Sequence, residues 1–180
     1  MQIAKKIKAQ SVSAYIIYMY QVEDVIRAYG MDADRLAEDY LPRFGFSEDE
    51  LAKEKEWYEA LIRMMHEEDV CQSGHVQVVK NTITLLSERH LELLHDPKQP
   101  FYSAAYYKAL PSIVELRAKG EARDKSEIEN CLDAVYGATV LRMRGVELTA
   151  ETKAALAPVS HLLEMLDKLY AADTTDNDGQ

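Results

Sequence analysis

Between Ser11 and Tyr29 the apolar side chains recur at Tyr15, Met19, Val22, Ile26 and Tyr29. Steps of four and three residues place all of these on one face of an α-helix and do not fit the alternation of a strand. Val12, Ile16, Tyr18 and Val25 flank the stripe, so the apolar sector is too wide for a helix with a single neighbour. The segment 11–29 therefore reads as a central helix packed on two or more sides. Ser11 or Ser13 caps its start. Gly30 stops it, because a residue free to turn left-handed is favoured just past a helix end. Two charges interrupt the pattern: Glu23 and Arg27 sit at the stripe edge beside Met19 and Ile26.

The rest of the chain reads as further helices. A lead-in helix spans 3–9, and Asp32 caps a short one that runs to about Tyr40 and ends at Pro42 and Gly45. Ser47 and Glu50 form a capping box, each side chain satisfying a backbone donor of the other. The helix that follows carries Leu51, Tyr58, Leu61, Ile62 and Met65 on one face and reaches about Glu68. Ser73 and Gly74 open another with the stripe Val79, Ile83, Leu86, His90 and Leu94, which His95-Asp96-Pro97 ends. A helix over 101–119 closes on Gly120. A second capping box, Ser126 with Glu129, starts one through Leu132, Val135, Thr139 and Met143, ending at Gly145. Thr149 caps the last, through Leu156, Leu162, Leu166 and Leu169. Pro111 and Pro158 fall inside helices and free the carbonyls of Tyr107 and Ala154. They read as tolerated kinks, with a cavity lined by those carbonyls as the sharper alternative. From Asp173 the composition turns acidic and polar, so 1–172 reads as the domain and 173–180 as a disordered tail. The expected fold is a single-domain all-α bundle of six or seven mostly antiparallel helices.

Composition narrows function mainly by exclusion. The 180 residues include only 7 Gly and 5 Pro, a balance that favours helix. Acidic residues outnumber basic ones 31 to 21, for a net charge of −10, so nucleic acid and anionic membrane are repelled. Lys5, Lys6 and Lys8, and the run Arg117, Lys119, Arg123 and Lys125, are the only basic patches and read as solvated faces. Cys71 and Cys131 lie far apart without a metal-ligand spacing, which suits reduced thiols in the cytoplasm. There is no signal peptide pattern, and no segment reaches the ~20 apolar residues needed to span a bilayer.

Metal and catalytic motifs fare no better. A di-metal carboxylate site needs two Glu-x-x-His motifs on facing helices, and Glu92 with His95 is the only one here. Glu56 and Glu59 could begin a magnesium site, but Glu121 with Asp124 and Glu164 with Asp167 lie too far along the chain to complete it. HExxH, GxSxG and the phosphate-binding loop are absent, so neither a metal nor a cofactor is indicated. Cys71 with His66 or His75 reads as an incidental thiol, and His90 on its apolar stripe as a hydrogen-bonded core residue. Ser73-Gly74-His75 could hold an anion on free backbone amides, as any helix start could.

An ionic set is left over. Arg142 shares the apolar side of its helix with Leu132, Val135 and Thr139, and Arg117 sits beside Ile113 and Leu116. Buried members must find partners, because an unpaired buried charge costs several kcal/mol. The plainer reading joins Glu23, Arg27, Arg117 and Arg142 in a salt-bridge network that fixes helix register. The functional one is a pocket in which Arg117 and Arg142 bind a small anion, with Tyr20, Tyr106 and Tyr107 lining it.

The motif Tyr18-Met19-Tyr20-Gln21-Val22-Glu23-Asp24-Val25-Ile26-Arg27 resembles a family of small bacterial proteins known as domain of unknown function 4924. The likeness continues through Gly74-His75, Tyr106-Tyr107-Lys108-Ala109-Leu110-Pro111, Glu115-Leu116-Arg117, Tyr136-Gly137 and Ser160-His161-Leu162-Leu163. Tyr20 stands where that family pattern favours Trp. The resemblance implies a complete one-domain helical protein and carries no activity, cofactor or site residue. The leading expectation is thus a soluble, cytoplasmic, non-enzymatic interaction or regulatory module, as a homodimer or with another protein partner. The alternative is a small-molecule or enzymatic pocket between helices.

Overall fold

The computed structural model describes residues 2–119 and 125–177. Ser11 alone separates α1 (Gln2–Gln10) from α2 (Val12–Ala28); its backbone is extended, and its Oγ accepts the Ala14 N–H at 2.9 Å. At the far end Gly30, at φ 70°, turns the chain left-handed so that its N–H and that of Met31 reach back to the carbonyls of Arg27 and Ile26. The expected short helix is a composite: one α turn, α3 (Ala33–Arg35), a π turn over Leu36–Tyr40 and a tight turn over Leu41–Phe44. Leu36 and Leu41 are both buried, and changing the winding between them lets both reach the core. The remaining helices are α4 (Glu48–Glu67), α5 (Gln77–His95), α6 (Pro100–Lys119), α7 (Glu127–Met143) and α8 (Ala150–Asn177). Among the described residues the count of α-helices is eight, above the six or seven expected. The same residues contain no strand.

Three start and stop signals differ from expectation. At Ser126 only half of the capping box forms: its Oγ accepts the Glu129 N–H at 3.0 Å, while the Glu129 carboxylate turns to Lys125. Helix α5 starts at Gln77 instead of at Ser73-Gly74, and Val76 at its N-cap has no side chain able to cap it. Carboxylates from elsewhere serve that end: Glu23 accepts the Val76 N–H and Glu68 accepts the Gln77 N–H. Helix α8 continues to Asn177, past Ala172 where composition ends the ordered chain. Nothing between Ala172 and Asn177 is Gly or Pro, so a helix already held by packing propagates through. Gly120, with the stretch up to Asp124, and the last three residues of the chain lie outside the described residues.

Helix α2 is the core element. It packs against α1, α5, α7 and α8, and nine of its residues are buried, from Val12 to Ile26. Helix α4 joins through Tyr58, Leu61, Ile62 and Met65, with the Tyr58 hydroxyl beside Tyr18 of α2; burial pushes Tyr18 up to about 12. Helix α6 packs most extensively on α8, giving Tyr102, Ala105, Ala109 and Ile113 to the core while α8 gives Val159, Leu162, Leu163 and Leu166. Pro111 and Pro158 are both inside their helices, but neither Tyr107 nor Ala154 lines the apolar groove between α6, α7 and α8. No helix of the described residues is long and apolar enough to cross a membrane.

Two polar contacts fasten this core. Asp167 of α8 accepts Ser11 Oγ at 2.6 Å, Ser13 N–H at 2.9 Å and Ser13 Oγ at 3.0 Å, tying the start of α2 to the last helix. His90 of α5 is 2% exposed and shares a 2.6 Å hydrogen bond from Nδ1 with the Tyr102 hydroxyl. Its Nε2 lies 3.8 Å from a Glu127 oxygen, too long for a hydrogen bond. Burial lowers the His90 pKa below its usual value, and the Glu127 charge only partly opposes this.

Replacing Asp167 with Ala removes a charged acceptor from three donors and is expected to cost about 2 kcal/mol. Thermal denaturation should register this as a fall of about 4–8 °C in Tm. For His90, the unfolded chain binds a proton at higher pH than the folded one. Its neutral form therefore supports the fold above about pH 6.5, and that support is lost as pH falls below it. The loss of Tm between about pH 7.5 and 5.5 should be smaller in His90→Gln than in the native chain.

Candidate functional site

The side chain with the most demanding surroundings is Glu23. The α2 stripe carries it fully into the core, at 0% exposure. A lone carboxylate there would be costly, and two donors from the segment between α4 and α5 answer it. Oε1 accepts the Val76 N–H at 2.9 Å, and Oε2 accepts His75 Nδ1–H at 2.5 Å. One turn earlier, Tyr20 stacks its ring on the His75 imidazole, with centroids 3.8 Å apart and planes 13° off parallel. One turn later, Arg27 donates to the carbonyls of Val70 and Gly74 and to Asp24 Oδ1, the last at 2.9 Å. Tyr20, Glu23 and Arg27 thus form a ladder along α2 that grips the 70–76 loop.

Helix α7 adds an outer wall. Tyr136 meets Tyr20 edge-on at 5.5 Å and donates to Asp24 Oδ2 at 2.6 Å. Lys125 holds Asp133 at 2.6 Å and Glu129 at 3.4 Å. Between these walls lies an open cleft of about 520 Å³ lined by Tyr20, Asp24, His75, Lys125, Asp133 and Tyr136, with Val140 and Leu141 at its apolar end. Burial, reinforced by the charges of Asp133, Glu129 and Glu23, pushes the Tyr20 hydroxyl far above its ordinary pKa. Tyr136 is raised by burial and by its bond to Asp24. Both phenols therefore stay protonated at neutral pH. The His75 imidazole, bonded through Nδ1 to Glu23, forms part of the cleft wall.

The His75–Glu23 pair alone does not make a catalytic set. Among the described residues His75 shares no hydrogen bond with a hydroxyl or a thiol, and no group of three metal-ligating side chains is gathered. Cys71 lies instead beside His66, with Sγ 3.2 Å from Nδ1 and 3.4 Å from the Met65 carbonyl.

Of Tyr20, Glu23, Arg27, Tyr106, Arg117 and Arg142, expected in the ionic network or the pocket, three meet on α2, two meet elsewhere and one stands apart. Tyr20, Glu23 and Arg27 share the ladder just described. Tyr106 and Arg117 belong to a second cluster around Glu127: Arg117 Nη1 is 3.5 Å from Glu127 Oε1, and Tyr106 packs on His90 with centroids 5.3 Å apart. Burial, then the Glu127 charge, pushes Tyr106 up to about 12. Arg142 is exposed; its Nε lies 3.5 Å from the Ala138 carbonyl one turn back. The last turn of α7 runs out beyond the core, with Leu141 and Met143 exposed too, so the apolar stripe stops meaning burial there. The expected anion pocket of Arg117 and Arg142 is therefore not assembled. His75, the partner that Glu23 required, was hidden because no local pattern couples residues 52 positions apart.

A second feature lies on the outside of α6. Phe101, Tyr107 and Val114 are 82%, 68% and 58% exposed, and Ala104, Pro111 and Ala118 on the same strip are exposed with them. Positions 101, 104, 107, 111, 114 and 118 are spaced by threes and fours, the interval of a helix–helix seam. Since Tyr102, Ala105, Ala109 and Ile113 are buried on the inward face, α6 is apolar on both sides. Contiguous exposed apolar surface of this kind is uncommon on a folded monomeric chain.

Glu23→Ala strands the Val76 N–H and removes the carboxylate from His75, an expected loss of about 3 kcal/mol in chemical denaturation. Glu23→Gln keeps an acceptor for Val76 and should lose less. An unchanged denaturation midpoint in Glu23→Ala would show that the ladder holds nothing.

No curated protein and no solved structure shows detectable similarity to the chain. A family model described as Domain of unknown function (DUF4924) matches residues 1–177, nearly the whole sequence. The chain, with its α2 ladder and its doubly apolar α6, belongs to the DUF4924 family, for which no activity is assigned.

Proposed function

We propose that this protein is a cytoplasmic, non-enzymatic helical module that acts by binding another protein chain through the outer face of α6. The strip of Phe101, Tyr107 and Val114, exposed at helix–helix spacing, carries this reading. The core of the fold is already closed without it, because the inward face of α6 alone supplies the packing on α8. The α2 ladder then has a structural role, holding the 70–76 loop and the start of α5. Cys71 and Cys131 are both unpaired thiols, which suits a reducing compartment.

One observation favours a second reading, a small-molecule site in the cleft: His75 on the cleft wall is backed by a buried carboxylate. Native mass spectrometry tests it. A reproducible adduct lost in His75→Ala would support the cleft, and a bare chain would remove it.

Hydroxyl-radical footprinting tests the main reading. Labelling of Phe101 and Tyr107 should fall several-fold when dilute purified protein is transferred to a concentrated native extract of its source cells. Exposed controls such as Phe44 should label equally in both. Equal labelling of the α6 strip in both states would overturn the proposal.

A further inference from the structure

We infer that the chain bound to the α6 face is a second copy of this protein, lying antiparallel to the first about a two-fold axis at Pro111. The inference rests on α6 being a contact face and adds the identity and geometry of its occupant. A two-fold contact is self-complementary: each residue before the axis must suit one after it. From Ala104 to Ala118 the strip meets that condition. Ala104 and Ala118 stand seven positions either side of Pro111, Tyr107 and Val114 stand four before and three after, and Lys108 and Glu115 stand three before and four after. Antiparallel pairing therefore sets small against small at the ends and Tyr107 against Val114 between them. Lys108 faces Glu115 of the other copy, and the symmetry makes each pair twice.

Charge selects this arrangement over its alternatives. A parallel, in-register pair would set Lys108 on Lys108 and Glu115 on Glu115, and like charges in direct opposition are destabilising. The protein as a whole carries −10, so two copies repel at long range and can meet only where charge is locally balanced. The outer strip of α6 is such a place, since the cation of Lys108 and the anion of Glu115 flank an otherwise uncharged seam. Pro111 at the axis presents a compact ring on an exposed position, which allows close approach of two helices. Glu115 also borders the groove of about 380 Å³ between α6, α7 and α8, so the apolar ground continues past the helix on one side.

The test is analytical ultracentrifugation of the full chain over a wide concentration range, with three variants checked for native helicity by circular dichroism. The native protein is expected to sediment as a dimer. Lys108→Glu should raise the dissociation constant at least about tenfold, because two attractive pairs become repulsive ones. Adding Glu115→Lys to it should restore the dimer. Pro111→Cys in a Cys71→Ser background should yield a disulfide-linked dimer on mild oxidation, since only an axis at this residue puts it beside its own copy. A native monomer at every concentration overturns the self-partner while leaving the α6 contact face to be judged by footprinting. A dimer that ignores Lys108→Glu and forms no crosslink through residue 111 overturns both the geometry and the use of α6.

Discussion

A carboxylate with no access to water governs how this bundle closes. Glu23 can be buried on α2 only if donors come to it, and the chain brings two from the segment after α4. Satisfying the charge therefore dictates where the 70–76 loop lies, which sets where α5 begins and at what height it passes α2. The usual local device is missing at that point, because Val76 has no capping oxygen of its own. The N-terminus of α5 is thus completed by a residue of another helix, and its register is tied to α2 by a bond rather than by packing alone. Apolar contacts tolerate small slides; a carboxylate held by two donors does not. Tyr20 and Arg27, one turn either side, extend the same constraint along the loop.

Much of the fold was legible because its signals are local. The stripe from Tyr15 to Tyr29, the Ser11 cap and the Gly30 stop located α2 almost to the residue. The box at Ser47 and Glu50 did the same for α4. Where the structure departs from expectation, the cause is distant. Ser73-Gly74 resembles a helix start, but α5 opens after Val76, whose N–H is claimed by a carboxylate 53 positions earlier. Glu129 has the spacing of a capping residue and is drawn off by Lys125. Arg142 has the phase of a buried residue on a turn that leaves the core. The charges of α2 were visible as anomalies, yet their partners were not, since helical periodicity describes one helix at a time. Tyr106 and Tyr107 were visible as candidates as well, but the division of this stretch into an inward Tyr102 and an outward Tyr107 required the neighbouring helices.

The two main features of the molecule answer different demands. On α2, polar groups sit where apolar ones would be simpler, and they act as fasteners. On α6, apolar groups sit where polar ones would be simpler, and they leave a surface that water covers poorly. An acidic protein holds its copies apart by charge, so such a surface can remain exposed without promoting indiscriminate adhesion. Contact then depends on a local match of shape and charge, a more selective criterion than apolarity itself.

The bond between Asp167 and the serines at the head of α2 also bears on how the chain is made. Its partners are separated by some 154 residues, so it cannot form while the polypeptide is still short. Helix α2 is covered by α5, α7 and α8, all of which are synthesised after it, α8 last of the three. Between the synthesis of α2 and that of α8 the chain therefore displays part of the apolar flank of α2 without the elements that will hide it. Closure waits for the C-terminal helix, so a truncated product lacking α8 keeps that flank open and becomes a natural target for chaperones and proteases.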